Sequence, residues 1–208
     1  MKNNDKNSVS LFARYKKIKP LETDYESNWR KFEFWRNSFF VFWIFSLIGH
    51  YLEYVWGALP VLIGGEMRVM HIPFFAVAAP YGLGALALIW TVYPFVKKGK
   101  VGIIGSYVLS VIVATAIEFI CALLIVIVLG NNPFWDYSDT QFNLFGFVCL
   151  PNSLAFGVVA VPMLYFIFPY FNNLLNKIKS RYLNIAFWIL STSYFAIQIC
   201  QIWLWNNM

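Results

Sequence analysis

Apolar and polar residues along this chain are gathered into long blocks rather than mixed at a surface-helix or strand period. Five apolar blocks reach the roughly 20 residues that a helix needs to cross about 30 Å of hydrocarbon. They occupy residues 38–59, 74–96, 101–129, about 144–169 and 182–205. The pattern predicts an all-α integral membrane protein, a bundle of five transmembrane helices, because in lipid a helix satisfies its own backbone. Polar residues precede the first block and no small-residue cleavage pattern follows it, so it reads as a retained helix rather than a signal peptide. Within residues 8–36, Leu11, Tyr15, Ile18, Trp29, Phe32 and Trp35 stand among lysines and arginines. That segment suits either an interfacial helix or a solvated basic tail.

Composition agrees with the blocks. Of 208 residues, 60% are hydrophobic, 20% aromatic and only 12% charged, whereas a soluble domain carries roughly 25% charge. An ordinary soluble globule and a disordered chain are both excluded. Cys121, Cys149 and Cys200 all lie in apolar runs, which offers no disulfide framework or zinc knuckle. A net charge of +6 would suit nucleic acid were it not for its placement. Fifteen of the sixteen Lys and Arg fall before the first block or in the second and fourth connections, and only Arg68 falls in a connection of the other set. Cytoplasmic segments retain positive charge, so the N-terminus is expected inside, the C-terminus outside, and the partner of the basic face is the lipid bilayer. No nucleic-acid partner is expected.

Two carboxylates fall within blocks. Counted from the cytoplasmic ends, Glu53 and Glu118 lie about 22 and 26 Å along a core about 30 Å thick. Either they reach the outer interface and are hydrated there, or they face a shared cavity and handle protons or cations. Their surroundings match. Leu52-Glu53-Tyr54 resembles Ile117-Glu118-Phe119, and each outer connection is followed by an apolar run interrupted by a proline, Pro80 before Tyr81-Gly82-Leu83-Gly84 and Pro151 before Asn152-Ser153. Interrupted segments at equivalent places point to a binding site, and the two halves read either as a parallel repeat of two hairpins with a fifth helix appended or as a chance similarity between two hydrophobic hairpins. His50 shares a face with Glu53, either as a packing residue or as part of the site. Gly82 and Gly84, with Ala85 and Ala87, read as a smooth face for a neighbouring helix. Asp136 and Asn143 suit local capping of a loop as well as ligand contact.

The third connection reads Trp135-Asp136-Tyr137-Ser138, then Phe142-Asn143, Gly146, Cys149-Leu150, Ser153 and Gly157. This arrangement resembles the bacterial ABC-transporter type IV (CmpB-like) membrane permease family, weakly over most of residues 38–170. Tyr81-Gly82-Leu83-Gly84 is similar to that family's P-I-Y-G-x-G segment, and Glu53 and Glu118 fall at its two intramembrane glutamates. Departures are His50 in place of a Trp, a family R-G-F-L reduced to Arg68, Pro80 displaced by one, Phe147 where an Arg is common, and Ala155-Phe156-Gly157 without the usual Trp-Gly. The resemblance implies the bacterial cytoplasmic membrane, a transport role, and a separate ATPase subunit on the cytoplasmic side.

No G-x-x-x-x-G-K-[ST] sequence occurs, so ATP hydrolysis would come from another chain. The leading expectation is a permease-like component whose outward acidic vestibule receives a polar or cationic solute. Its candidate ligand-binding residues are Glu53, Glu118, Asp136, Tyr81, Asn143, His50 and Arg68, with no metal and no cofactor. The alternatives are a non-catalytic accessory or scaffold subunit, and an outer-leaflet enzyme acting on lipid or envelope intermediates. Against the last, no H-E-x-x-H, G-x-S-x-G or clustered Asp motif is present. A homo-oligomer stays open.

Overall fold

The computed structural model describes residues 18–25, 27–58 and 78–206. Helices α1 (Phe32–Ala58), α2 (Ala79–Thr91), α3 (Tyr93–Lys97), α4 (Ile103–Leu129), α5 (Leu150–Pro162), α6 (Phe168–Lys177) and α7 (Ser180–Asn206) follow one another. A two-stranded hairpin, β1 (Asn143–Leu144) and β2 (Val148–Cys149), precedes α5, and a π-helical turn at Met163–Ile167 joins α5 to α6. Four stretches are long and apolar enough to cross a membrane: Phe32–Val55, Ile103–Leu129, Leu150–Lys177 and Ser180–Cys200. The second expected span is a shorter apolar helix, α2, continued by α3. Together residues 79–97 reach about 28 Å at helical rise. The protein is thus all-α and membrane-like.

Several boundaries differ from the sequence reading, and proline accounts for two of them. Pro80 and Pro151 do not interrupt helices; each stands in the first turn of one, α2 and α5, where its missing N–H costs nothing. The fourth span therefore starts at Leu150, six residues later than expected, and residues 143–149 form the hairpin. It also runs past Pro169 to Lys177, because Pro169 falls in the first turn of α6 immediately after the π-turn. Residues 18–25 and 27–28 carry no helix, and α1 begins at Phe32 rather than Ser38. The first four residues of the expected second span, 74–77, lie outside the described residues.

Helix α1 packs on α2, α2 on α4, and α4 on α5, while α7 adds to the far side of α1. The core lies at the α3 end. It joins Ile89, Val92, Tyr93 and Val96 to Leu164, Tyr165 and Phe168, each at most 2% exposed. An N-terminal strap closes it. Tyr25 stacks edge-on against Tyr93 and Phe168, with centroids 5.8 and 5.1 Å away. Leu21 N–H donates to the Tyr165 carbonyl at 2.8 Å, the acceptor left over because Pro169, four residues on, has no N–H. Asn172 Nδ2 donates to Thr23 Oγ1 and Asn173 Nδ2 to the Glu22 carbonyl, both at 2.8 Å.

Two glycines set the α1–α2 approach. A Cβ at Gly49 would run into the Tyr81 ring, and one at Gly82 into Ser46 Oγ and the Phe42 backbone carbonyl. Gly84 meets nothing, because two residues along a helix turn the chain about 200° away, so Gly82 and Gly84 do not share the face that the sequence suggested. Gly82→Ala is expected to force α1 and α2 apart at a cost of about 1–3 kcal/mol. Gly84→Ala should leave stability unchanged or slightly raised. Thermal unfolding of the two variants in detergent checks this, and equal melting temperatures would refute it.

Candidate functional site

The space left by Gly49 decides where Tyr81 goes. Four residues along the same face of α1 stands Glu53, and the Tyr81 hydroxyl, entering from the first turn of α2, donates to Glu53 Oε1. The second acid is held similarly by a different element. Glu118 projects inward from α4 and is only 9% exposed. Its Oε1 accepts the Tyr137 hydroxyl at 3.1 Å from the loop after α4, and Asn152, the residue after Pro151, hydrogen-bonds Tyr137 in turn. The halves meet. Glu53 and Glu118 lie within electrostatic reach of each other, and Tyr81 within reach of Glu118 and Tyr137. In each half, then, the side chain following the helix-starting proline, Tyr81 or Asn152, turns toward the same cluster.

Tyr137 is delivered by a loop that holds itself. Gly130, at φ 81°, ends α4 in the left-handed conformation with its N–H on the Val126 carbonyl, which spares a side chain the strain. Beyond it the chain alternates. Trp135 and Tyr137 turn inward, the indole N–H donating to the Phe147 carbonyl and the Tyr137 N–H to the Gly146 carbonyl, both at 2.9 Å. Asp136 and Ser138 stay exposed. Asp136 Oδ1 accepts both the backbone N–H and the hydroxyl of Ser138, at 2.9 and 2.6 Å. Asn143 Nδ2 donates to the Ser138 and Thr140 carbonyls, and its Oδ1 accepts the Gly146 N–H. Gly146 (φ 70°) leaves room beside Asp136 and Ser138 that a Cβ would fill. Burial, then the facing Glu118, push the Tyr137 phenol well above its ordinary range, so it is a hydrogen-bond donor throughout the physiological range.

The residues expected at the site thus separate. Glu53, Glu118 and Tyr81 come together; Asp136 and Asn143 are exposed and brace the loop. His50 is fully buried one turn before Glu53, edge-on to the Tyr51 and Tyr54 rings at 5.5 and 5.2 Å. Arg68 lies outside the described residues. Tyr137 and Asn152 were not among the expected site residues. For Tyr137 the signal was its place in Trp135-Asp136-Tyr137-Ser138, where alternation puts the phenol opposite the acid. For Asn152 it was the match in position with Tyr81. Among the described residues, no group of three or more His, Cys, Asp or Glu is placed to hold a metal ion.

A multi-pass, all-α membrane protein with two carboxylates gathered from separate hairpins is the class these features define. The chain belongs to the family described as "Putative ABC-transporter type IV", which matches residues 40–202. Among curated proteins and among solved structures, nothing matches.

The Ser138 hydroxyl and backbone N–H hold the Asp136 carboxyl below its ordinary 3.8. A depressed folded value means that this bracing is fully present above the unfolded value and is lost as pH falls through the folded one. Asp136→Ala should therefore loosen the loop at pH 7, read as faster amide hydrogen exchange at Ser138 and Thr140. The difference from the parent should shrink below about pH 4. A difference independent of pH would show that the carboxylate is not the brace.

Proposed function

We propose that the chain is the membrane-embedded, permease-like component of a transporter, and that the cluster of Glu53, Tyr81, Glu118 and Tyr137 is where a polar or cationic solute is bound. One observation carries this reading: two acids on helices long and apolar enough to cross a membrane, α1 and α4, are brought into electrostatic reach, each with one oxygen held by a phenol. Carboxylates are costly in such a place and are kept where a cation or a proton is handled. Charge placement supports a cytoplasmic N-terminus and an outward-facing cluster, and the family name supports the bacterial plasma membrane. The family name and the basic cytoplasmic connections support a separate ATPase subunit there. The paired roles of Tyr81 and Asn152 support a parallel repeat of two hairpins.

A scaffold reading has its own observation. Tyr81–Glu53 and Tyr137–Glu118 each tie two segments together, as a purely architectural acid would. The two readings part at Glu118→Gln, which keeps shape and hydrogen-bonding capacity while removing the charge. Membrane vesicles from cells producing the protein are supplied with ATP and a defined mixture of amino acids, choline, putrescine, spermidine and sugars. Mass spectrometry of the trapped contents is expected to show at least one solute accumulated by the parent and at least tenfold less of it with Glu118→Gln, at equal protein abundance. Undiminished accumulation would refute transport through this cluster; a lower abundance or melting temperature with undiminished accumulation would favour the scaffold.

A further inference from the structure

The N-terminal strap does more than close the core: with α3 it walls a cavity of about 390 Å³, lined by Tyr25, Ser27, Tyr93, Pro94, Lys97 and Lys98. Tyr93 is 1% exposed and Tyr25 half-buried, and their rings meet edge to face with centroids 5.8 Å apart. Among the described residues, neither phenol hydroxyl has a hydrogen-bond partner. Burial pushes the Tyr25 phenol up to about 12, so it keeps its proton and remains a donor. Lys97 is held in place. Its Nζ donates to the Tyr25 carbonyl at 2.7 Å, which uses one of its three N–H bonds and leaves two. Lys98 and Ser27 complete the polar lining and are exposed.

Core packing accounts for the two rings but not for their hydroxyls: phenylalanine fills the same space, and a buried hydroxyl left unbonded is a net cost. General attraction between basic loops and anionic lipid does not account for the cavity either, because a field needs no recess. The charge of the lining is selective. Among the described residues it holds two lysines and no carboxylate, whereas the neighbouring cavity of about 540 Å³ sets Asp24 and Glu33 against Lys31 alone. Depth narrows the ligand further. Trp35 and Trp90, both exposed and with rings 6.0 Å apart, mark the level of a membrane interface. Tyr93 and Lys97 follow Trp90 by about 5 and 10 Å at helical rise, and a headgroup layer is about 5–8 Å deep. Phosphate groups lie in that layer and in the water beyond it. A phosphate accepts hydrogen bonds on every side, and lysine is a common point-charge partner for it.

We propose that the cavity between the strap and α3 is a binding site for a phosphate group, gripped by Lys97 and Lys98 with the hydroxyls of Tyr93, Tyr25 and Ser27 as further donors. Nothing in it depends on the transport reading. Tyr25 also packs on Phe168, and Leu21 of the same strap bonds the Tyr165 carbonyl, so a phosphate held between strap and α3 fastens the N-terminal segment more firmly to the core. A lipid headgroup and a free phosphate present the same oxygens to this site, and experiment separates the two sources.

The test uses the full chain, purified in detergent and stripped of lipid. Native mass spectrometry follows titration with dioleoyl phosphatidylglycerol and, for the same acyl chains without phosphate, dioleoylglycerol; calorimetry follows titration with inorganic phosphate. At least one of the two phosphates is expected to bind, while dioleoylglycerol does not. Lys98→Gln and Tyr93→Phe should each weaken that binding roughly tenfold, the effect of one lost hydrogen bond to a charged group, and Lys97→Arg should retain most of it. Lys179→Gln removes an equal charge from the other basic connection and should leave binding unchanged. Should Tyr93→Phe fail to give monodisperse protein, Lys98→Gln decides alone. Phosphatidylglycerol binding without inorganic phosphate places a lipid in the cavity, inorganic phosphate binding places a soluble phosphate there, and either supports the site. Failure of both to bind, equal binding of dioleoylglycerol, equal weakening by Lys179→Gln, or parent-like binding in Lys98→Gln and Tyr93→Phe overturns it.

Discussion

A helix surrounded by lipid gains nothing by turning its apolar residues inward, because acyl chains are as apolar as leucine. What it turns inward is whatever it cannot leave outside. Helix α4 follows that constraint: Ile112, Leu124, Ile127 and Val128 are more than half exposed, while Ser106, Ser110 and Glu118 are buried. A soluble bundle would reverse the arrangement. Once Glu118 is inside, it needs donors, and the neighbouring segments supply them: Tyr137 from the loop directly, with Asn152 of α5 behind it. The approach of the two hairpins at this end is organised around polar satisfaction as much as around shape.

The same accounting governs the opposite end. Pro169 and the π-turn before it would leave the Tyr165 carbonyl without its helical partner, and backbone at membrane depth must be satisfied by protein. Leu21 does so from the strap. Tyr25, packed on Tyr93 and Phe168, fixes the strap in position. The break in the fourth span and the course of the N-terminal segment are therefore one feature rather than two.

The spans were legible in the sequence because membrane insertion depends on the summed apolarity of a block, which needs no knowledge of neighbours. Their ends were not. Whether Pro151 breaks a helix or starts one depends on the hairpin before it, and that hairpin depends on Asn143 reaching back to Ser138 and Thr140. Glu53 and Glu118 stood out as charges in apolar runs; that they meet requires Gly49 to admit the Tyr81 ring, a contact between helices that no single-helix period encodes. The Ser106-Ser110-Glu118 spacing was present in the sequence all along. Serine is common in membrane helices, where it ordinarily bonds the carbonyl four residues back, as Ser193 does here at 2.8 Å; only the structure distinguishes the buried Ser110, whose hydroxyl has no hydrogen-bond partner among the described residues.

The two acids are not equivalent, and the difference lies in what covers them. Glu53 is half-buried and bound by a tyrosine rooted in a helix, whereas Glu118 is buried and bound by a tyrosine carried on a loop. A phenol in the first turn of α2 moves only with α2. A phenol at position 137 moves with the 130–149 loop, whose order rests on Asp136, Ser138, Asn143 and Gly146. Disturbing that bracing shifts the donor of the more deeply buried carboxylate and leaves the donor of the other in place. This gives the exposed Trp-Asp-Tyr-Ser segment a physical route to the cluster that requires no ligand contact of its own: Asp136 and Asn143 act by setting where Tyr137 stands, and through it how Glu118 is hydrogen-bonded.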